Sequence, residues 1–237
     1  MLGLAFALVL TAAPARAGAD VAAADRLYWH RNEGKNLDEA LRGLDALLAA
    51  SPDDPELLWR KGRALFRRGE KQARKAEKLA DYISAEDLIK RAVDLKPSSA
   101  DAHFWYGVAM GRRGETQGIL KSLFLVKPIR KEMNVTLRLD PNHGGAHRVL
   151  GEILWQIPGF AGGDKKKALA EFEASVRLSP NYTANYQPLA EAYVHYGRKD
   201  EARALLKRLE AITEPSDPAA YPDDLSDAKL LLATLKP

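Results

Sequence analysis

The sequence predicts an all-α solenoid of stacked helix pairs, on three observations. Prolines recur behind apolar helical stretches as Pro52, Pro97, Pro141 and Pro180, at intervals of 45, 44 and 39 residues. Alanine stands twelve residues before three of them, as Ala40, Ala85 and Ala168. A second small residue follows each proline within ten positions, as Gly62, Gly107, Gly151 and Ala190. A long fixed period of this kind marks units that bury their apolar faces only by stacking on neighbours.

Each element follows from this frame. The stretches DEALRGLDALLAASP, AEDLIKRAVDLKP and KALAEFEASVRLSP are amphipathic helices that end at a proline, whose fixed φ and missing N–H stop a helix and suit the turn into the next. Small residues at matching positions let paired helices approach closely. Gly69, Gly114 and Gly197 are expected at helix C-termini, where a left-handed residue is needed. The last unit, NYTANYQPLAEAYVHYGRKDEARALLKRL, carries Tyr186, Leu189, Ala190, Tyr193, Gly197, Ala202 and Leu206 and closely resembles the tetratricopeptide pattern of paired helices. That unit length is about 34 residues, so the longer intervals imply insertions of roughly ten, ten and five residues between the helices of the second, third and fourth units. Five pairs result, over 21–54, 55–99, 100–143, 144–182 and 183–214. The linker EPSDPAAYPDD is expected as a loop, and DLSDAKLLLATL, at about 224–236, as the helix that caps the apolar end of the array.

With 237 residues, 46% hydrophobic and 29% charged, the chain is long and apolar enough for a packed domain. It starts differently: LGLAFALVLTAA followed by Ala15-Arg16-Ala17 reads as a secretory leader over 1–17 with cleavage after Ala17, although a basic residue before the apolar run is missing. An uncleaved apolar first helix is the alternative. The array then occupies 18–214 and the linker with its capping helix 215–237, in a protein expected in the periplasm. The absence of cysteine excludes disulfides, thiol catalysis, thiolate zinc sites and lipid attachment at a cysteine.

Net charge is a modest +4, unevenly spread. Arg60 to Lys78 holds nine Lys or Arg against Glu70 and Glu77, while Glu214 to Asp227 holds five acids and no base. A solvated helix face is the expected meaning of the basic run, ahead of a site for an acidic partner. This balance, and the absence of a recognisable motif, exclude nucleic-acid binding as an expectation.

Chemistry-bearing patterns are few. IPGFAGGDKKKAL looks like a phosphate loop, but the second glycine of that motif falls on Asp164 and no Ser or Thr follows Lys165, so Asp164 reads as the N-cap of the next helix. His143 and His147 are spaced i, i+4, yet no third ligand lies near, and packing or capping is expected of them rather than metal binding. No nucleophile motif or carboxylate pair stands out. The sequence therefore predicts neither catalysis nor a cofactor.

The first helix of each pair supplies the concave face. Projecting that face selects Trp29, then Trp59, Arg63 and Phe66, then Phe104 and Val108, then Arg148, Glu152 and Trp155, then Gln187, Glu191 and Val194. Trp59, Arg63 and Phe66 lie at i, i+4, i+7, as do Arg148, Glu152 and Trp155, so each trio shares a face. Aromatic residues with arginine are what binding hot spots use. Two expectations stand together: the face captures a protein partner or a hydrophobic small ligand, or the segment at 115–127, apolar at Ile119, Leu120, Leu123, Phe124, Leu125 and Val126, folds into the groove and leaves a structural assembly factor.

Between about 55 and 212 the order of segments is more specific. Ala102-His103-Phe104-Trp105, the long following insertion, Asp140-Pro141, Ala146-His147-x-x-Leu150-Gly151 and Pro158-Gly159 together resemble the bacterial TatT tetratricopeptide proteins of tripartite periplasmic (TRAP) transporters and the related eukaryotic regulators of microtubule dynamics. That resemblance implies a periplasmic helical scaffold with an internal apolar cavity or channel, able to form homo-oligomers and to dock a periplasmic substrate-binding protein. Stable membrane insertion is not expected, because no internal apolar run approaches the roughly 20 residues that a spanning helix needs. The chain departs from the bacterial group in lacking a lipoprotein cysteine.

Overall fold

The computed structural model describes the backbone of residues 14–235 and the side chains of 20–235; most of the expected leader lies outside the described residues. Eleven α-helices and no strand occur among them. Consecutive helices pair as α1 (Pro14–Trp29) with α2 (Asn36–Ala50), α3 (Pro55–Lys71) with α4 (Lys75–Leu95), and α5 (Ala100–Gln117) with α6 (Ile119–Leu139). The series continues with α7 (Gly144–Gln156) and α8 (Lys165–Leu178), then α9 (Tyr186–His195) and α10 (Lys199–Glu210), and closes with α11 (Tyr221–Thr234). The helices α1, α3, α5 and α7 touch in sequence and form the inner layer of the solenoid.

Local chemistry fixes the joints. Ser51, Lys96, Asp140 and Ser179, the four residues before the recurring prolines, close their helices with φ between −138° and −131° and ψ between 70° and 94°. The pyrrolidine ring excludes the helical region for the residue before it, so the turn is repeated in each unit. New helices then start on side-chain caps: Asp54 for α3, Ser99 for α5, His143 for α7 and Asp164 for α8. Ala40, Ala85 and Ala168 are fully buried at the close contacts within pairs.

Several expectations are corrected. The residues inserted in the second and third units do not form loops but lengthen the helices: α3 and α4 reach 17 and 21 residues, α5 and α6 18 and 21. Only Gly118, at φ +115°, separates α5 from α6. A left-handed residue is needed there, not at Gly69 or Gly114, which are interior to their helices. Those two permit close packing instead: a Cβ on Gly69 would lie 2.8 Å from the Tyr82 ring, and one on Gly114 2.7 Å from Leu125. Gly197 does adopt a left-handed φ of +73°. The fourth unit keeps its extra residues between helices, as a 3₁₀ turn over Gly159–Ala161.

The 115–127 segment does not fill the groove. Ile119 and Phe124 are 78% and 80% exposed at the outer tip of the α5–α6 hairpin. The groove is crossed instead by the 214–224 linker, which is more than the simple loop its composition predicts. Asp217 is buried and accepts from Arg31 Nη1 and Nη2 at 2.7 and 2.8 Å, Asn32 Nδ2 donates to the Ala219 carbonyl, and Ser216 N donates to the Asn181 carbonyl. The end of the array is thereby tied to its first unit. Helix α11 begins at Tyr221, with Pro222 in its first turn, and buries Ala228 in the core shared by α7 to α10.

Candidate functional site

The inner layer builds one wall before any ligand is considered. Tyr82, Phe66, Trp105, Phe104 and His143 follow one another at centroid distances of 5.5, 5.7, 5.4 and 4.5 Å, crossing from α4 through α3 and α5 to the start of α7. Rings at these separations hold each other in place. His143 both stacks on Phe104 and accepts from Ala146 N through Nδ1, so its ring is neutral in that role; burial lowers its pKa, against the carboxylates of Asp101 and Asp140.

Two recesses open on this wall, each of about 290 Å³. The first is lined by Tyr28, Trp29, Arg63, Phe104, His143 and, from the linker, Ser216 and Asp217. The second is lined by Phe66, Val108, Arg112, Arg148 and Glu152. Arg67, Phe104, Trp105 and Tyr182 border both, so these side chains form the constriction between two ends of one groove.

Arginines occupy the constriction, at Arg67, and the recess on either side of it, at Arg63 and Arg148. Arg63 lies 3.7 Å from the Tyr28 ring centroid and 5.0 Å from those of Trp29 and Trp59, and its Nη2 donates to Asp25 at 2.7 Å. Arg67 donates to Tyr28 Oη and to Glu70, and approaches Asp217 to 3.5 Å. Burial works against the charge of Arg67, but Tyr28 and Glu70 outweigh it and raise its pKa well above the ordinary value. Arg148 is in the same state, with burial opposed by its contact to Glu152. Tyr182 lies in the field of both guanidiniums; burial is the largest effect and raises its phenol pKa. The groove thus presents charged but preorganised groups, which lose little freedom when a ligand arrives.

The projected face is gathered only in part. Trp29, Arg63 and Phe104 line the first recess, and Phe66, Phe104, Val108, Arg148 and Glu152 the second. Trp59 does not line either: it is buried under Arg60 and Arg63, with Nε1 donating to Glu56 at 2.9 Å. Trp155, in the last turn of α7, packs away from the groove on Phe172, His195 and Lys165. Gln187 donates to Glu191 and borders neither recess. The reason lies in the fifth unit, where a 3₁₀ turn over Thr183–Asn185 precedes α9, so the inner surface there is supplied by Tyr182, before the helix begins. Tyr28, Arg67, Trp105, Tyr182 and Asp217 line the groove although the projection does not select them. Arg67 alone had a signal, four residues beyond Arg63 on the same face.

The two spaced histidines serve different neighbours, His143 the cap and Phe104, His147 the carboxylate of Glu171 at 2.6 Å. Among the described residues no three His, Asp or Glu side chains gather at metal-binding spacing, and no helix is long and apolar enough to cross a membrane.

Known proteins share this fold. Residues 160–235 match the tetratricopeptide repeat, and the chain superposes on a thermophilic tetratricopeptide protein of Thermus thermophilus with a TM-score of 0.67 at 19% identity, over 90% of this chain and 99% of that one. The fold is therefore a tetratricopeptide solenoid. Rat regulator of microtubule dynamics protein 3 is 24% identical over 220 residues, covering 86% of this chain and 47% of its own; mouse regulator of microtubule dynamics protein 1 is 26% identical over 165 residues, covering 62% and 54%. The chain spans about half the length of these relatives. Since residues 20–157, more than half of the chain, match the family described as regulator of microtubule dynamics protein 1-3, the protein belongs to that family.

Proposed function

We propose that this protein is a non-catalytic scaffold that holds an extended segment of a protein partner in its concave groove, across the constriction at Arg67 and Tyr182. The observation that carries this is the pair of recesses on one prearranged aromatic wall, with the linker closing the groove but leaving both ends accessible. A segment laid across the half-buried Trp29, Tyr182 and Val108 would bury apolar area over the buried rings of Phe104 and Phe66, and Arg67 and Arg148 would fix its register through its carbonyls or carboxylates. Tetratricopeptide folds serve protein binding, which supports the same conclusion. A hydrophobic small ligand, the second occupant the residue pattern allows, fits the first recess, where Tyr28, Trp29, Phe104, Trp105 and Tyr182 meet.

The test begins with peptides selected from a random library against the purified chain. Trp29→Ala and Tyr182→Phe are the informative changes, one removing an anchor and the other a polar edge. Central aromatic anchors contribute about 2 kcal/mol, so Trp29→Ala should weaken a selected peptide roughly thirtyfold. Peptides that bind the variant as tightly as the parent would sink the groove assignment.

Two finer statements complete the proposal. The apolar start and Ala15-Arg16-Ala17 support export to the periplasm with a mature chain beginning near Gly18. The TatT-like order of segments supports a substrate-binding protein of TRAP-type transport as the partner. N-terminal sequencing of the native protein addresses the first; an intact Met1 on a cytoplasmic protein would overturn it.

A further inference from the structure

The tip of the α5–α6 hairpin carries a feature that groove binding does not use. Ile119, Leu120, Leu123 and Phe124 are all exposed, while Leu125, Val126 and Ile129, on the other side of α6, pack inward. At 100° per residue the four exposed side chains fall within one sector of the helix, and Lys127, Arg130 and Lys131 continue the same sector one to two turns further on. From Gln117 to Lys131 there are four basic residues, Lys121 included, and no acid. None of the four makes an ion pair among the described residues; Arg130 donates only to the Gly162 carbonyl, at 3.4 Å. That contact sets the 159–163 turn beside α6, where Phe160 is 96% exposed. The flanking acids are engaged elsewhere: Glu132, next to Lys131, is buried against His103 Nδ1 at 2.6 Å, Glu115 is paired with Arg112, and Asp164 with Lys167.

We propose that this tip docks into the headgroup region of an anionic phospholipid surface. The dimensions fit: Ile119 to Phe124 spans about 8 Å of helix at 1.5 Å per residue, within the roughly 5–10 Å to which interfacial helices bury their apolar face. Lys127, Arg130 and Lys131 then sit at the level of the phosphates, and Lys121 reaches back to them along its alkyl chain. Unpaired cations with no compensating acid select an anionic surface over a neutral one. A protein partner or a second copy would need acids on its own face to meet the basic collar, and this chain's acidic stretch, Glu214 to Asp227, is in part engaged, through Asp217 and Asp224, with Arg31 and Thr183. Docking is peripheral and leaves the groove free.

The experiment is flotation of the full chain with vesicles of equal phosphatidylglycerol and phosphatidylcholine, against phosphatidylcholine alone. At least tenfold stronger partition to the anionic vesicles is expected, falling at raised salt. L123S/F124S should lower it tenfold or more, K127E/K131E should abolish the anionic preference, and Trp29→Ala, in the groove, should leave it unchanged. Phe124→Trp should show blue-shifted emission on anionic vesicles. Absence of partition by the parent chain, or partition unaffected by L123S/F124S, overturns the proposal. So does a parent chain that is a dimer and becomes monomeric in L123S/F124S without binding vesicles, which would make the tip an interface between copies.

Discussion

The hairpins α3–α4 and α5–α6 have helices of nearly equal length, each lengthened beyond the ordinary unit, and each admits close packing through a glycine near its end, Gly69 or Gly114. Their tips differ in chemistry. Around α3–α4 most charges, Lys75 and Lys78 excepted, are engaged internally: Asp81 accepts from Arg68 and Gln72, Arg67 pairs with Glu70, Arg74 with Glu77, and Lys71 donates to the Arg31 carbonyl. Through Arg67 and Asp217 the same tip reaches the linker that closes the groove. The α5–α6 tip presents exposed aliphatic and aromatic side chains with unpaired cations. Hairpin length thus follows from helix continuity and small residues, which both share, whereas the side chains at the end decide whether a hairpin braces the array or faces outward.

Removing the brace should have the largest effect. Arg31 and Asp217 are 5% and 2% exposed, and Asp217→Ala leaves the guanidinium buried without its carboxylate, a change that typically costs about 3–5 kcal/mol. Urea unfolding measures it, and a loss below about 1 kcal/mol would mean that the linker contact is not a structural tie. Next come the glycines. Gly69→Val and Gly114→Val force a Cβ against Tyr82 or against Leu125 and Ser122, each for about 1–3 kcal/mol. The contrast between the tips becomes firmer if Gly114→Val also weakens vesicle partition while Gly69→Val does not; equal effects on partition would remove it.

A smaller effect concerns pH. Burial depresses the His143 pKa, so the unfolded chain takes up a proton first as pH falls. The contribution of the neutral ring to stability is whole above about pH 6.5 and is lost as pH falls through the lower folded value, because a protonated Nδ1 no longer accepts from Ala146 N. Melting temperatures between pH 8 and pH 5 check this, with His143→Asn, which can still cap, expected to show a weaker acid dependence. The smallest effect should be that of L123S/F124S on folding, within about 0.5 kcal/mol, since these side chains are already in water. A larger loss would show that the tip is packed rather than presented.

The concave face was legible where it depended on one helix at a time. Arg63 and Phe66 share a face of α3, Arg148 and Glu152 a face of α7, and both sets reach the groove. Trp59 and Trp155 satisfied the same spacing and did not, because each sits at the end of its trio, where Trp59 is covered by Arg60 and Arg63 of its own helix and Trp155 packs on α8 and α9. Gln187 failed because α9 begins later than the repeat implies. Asp217 carried no local signal: its partner Arg31 is 186 residues away.

The repeat is written in the amino-acid order alone: prolines that expel the preceding residue from helical geometry, small residues where helices must meet, and apolar periodicity that only stacking can bury. These are local rules, repeated in register, and they fix the solenoid. Long-range packing settled the rest: that inserted residues lengthen helices instead of filling the groove, that Tyr182 replaces an α9 side chain on the inner surface, and that the linker crosses back to Arg31. The last of those outcomes depends on the path of all five units, which brings the ends of the array together and which no single repeat encodes.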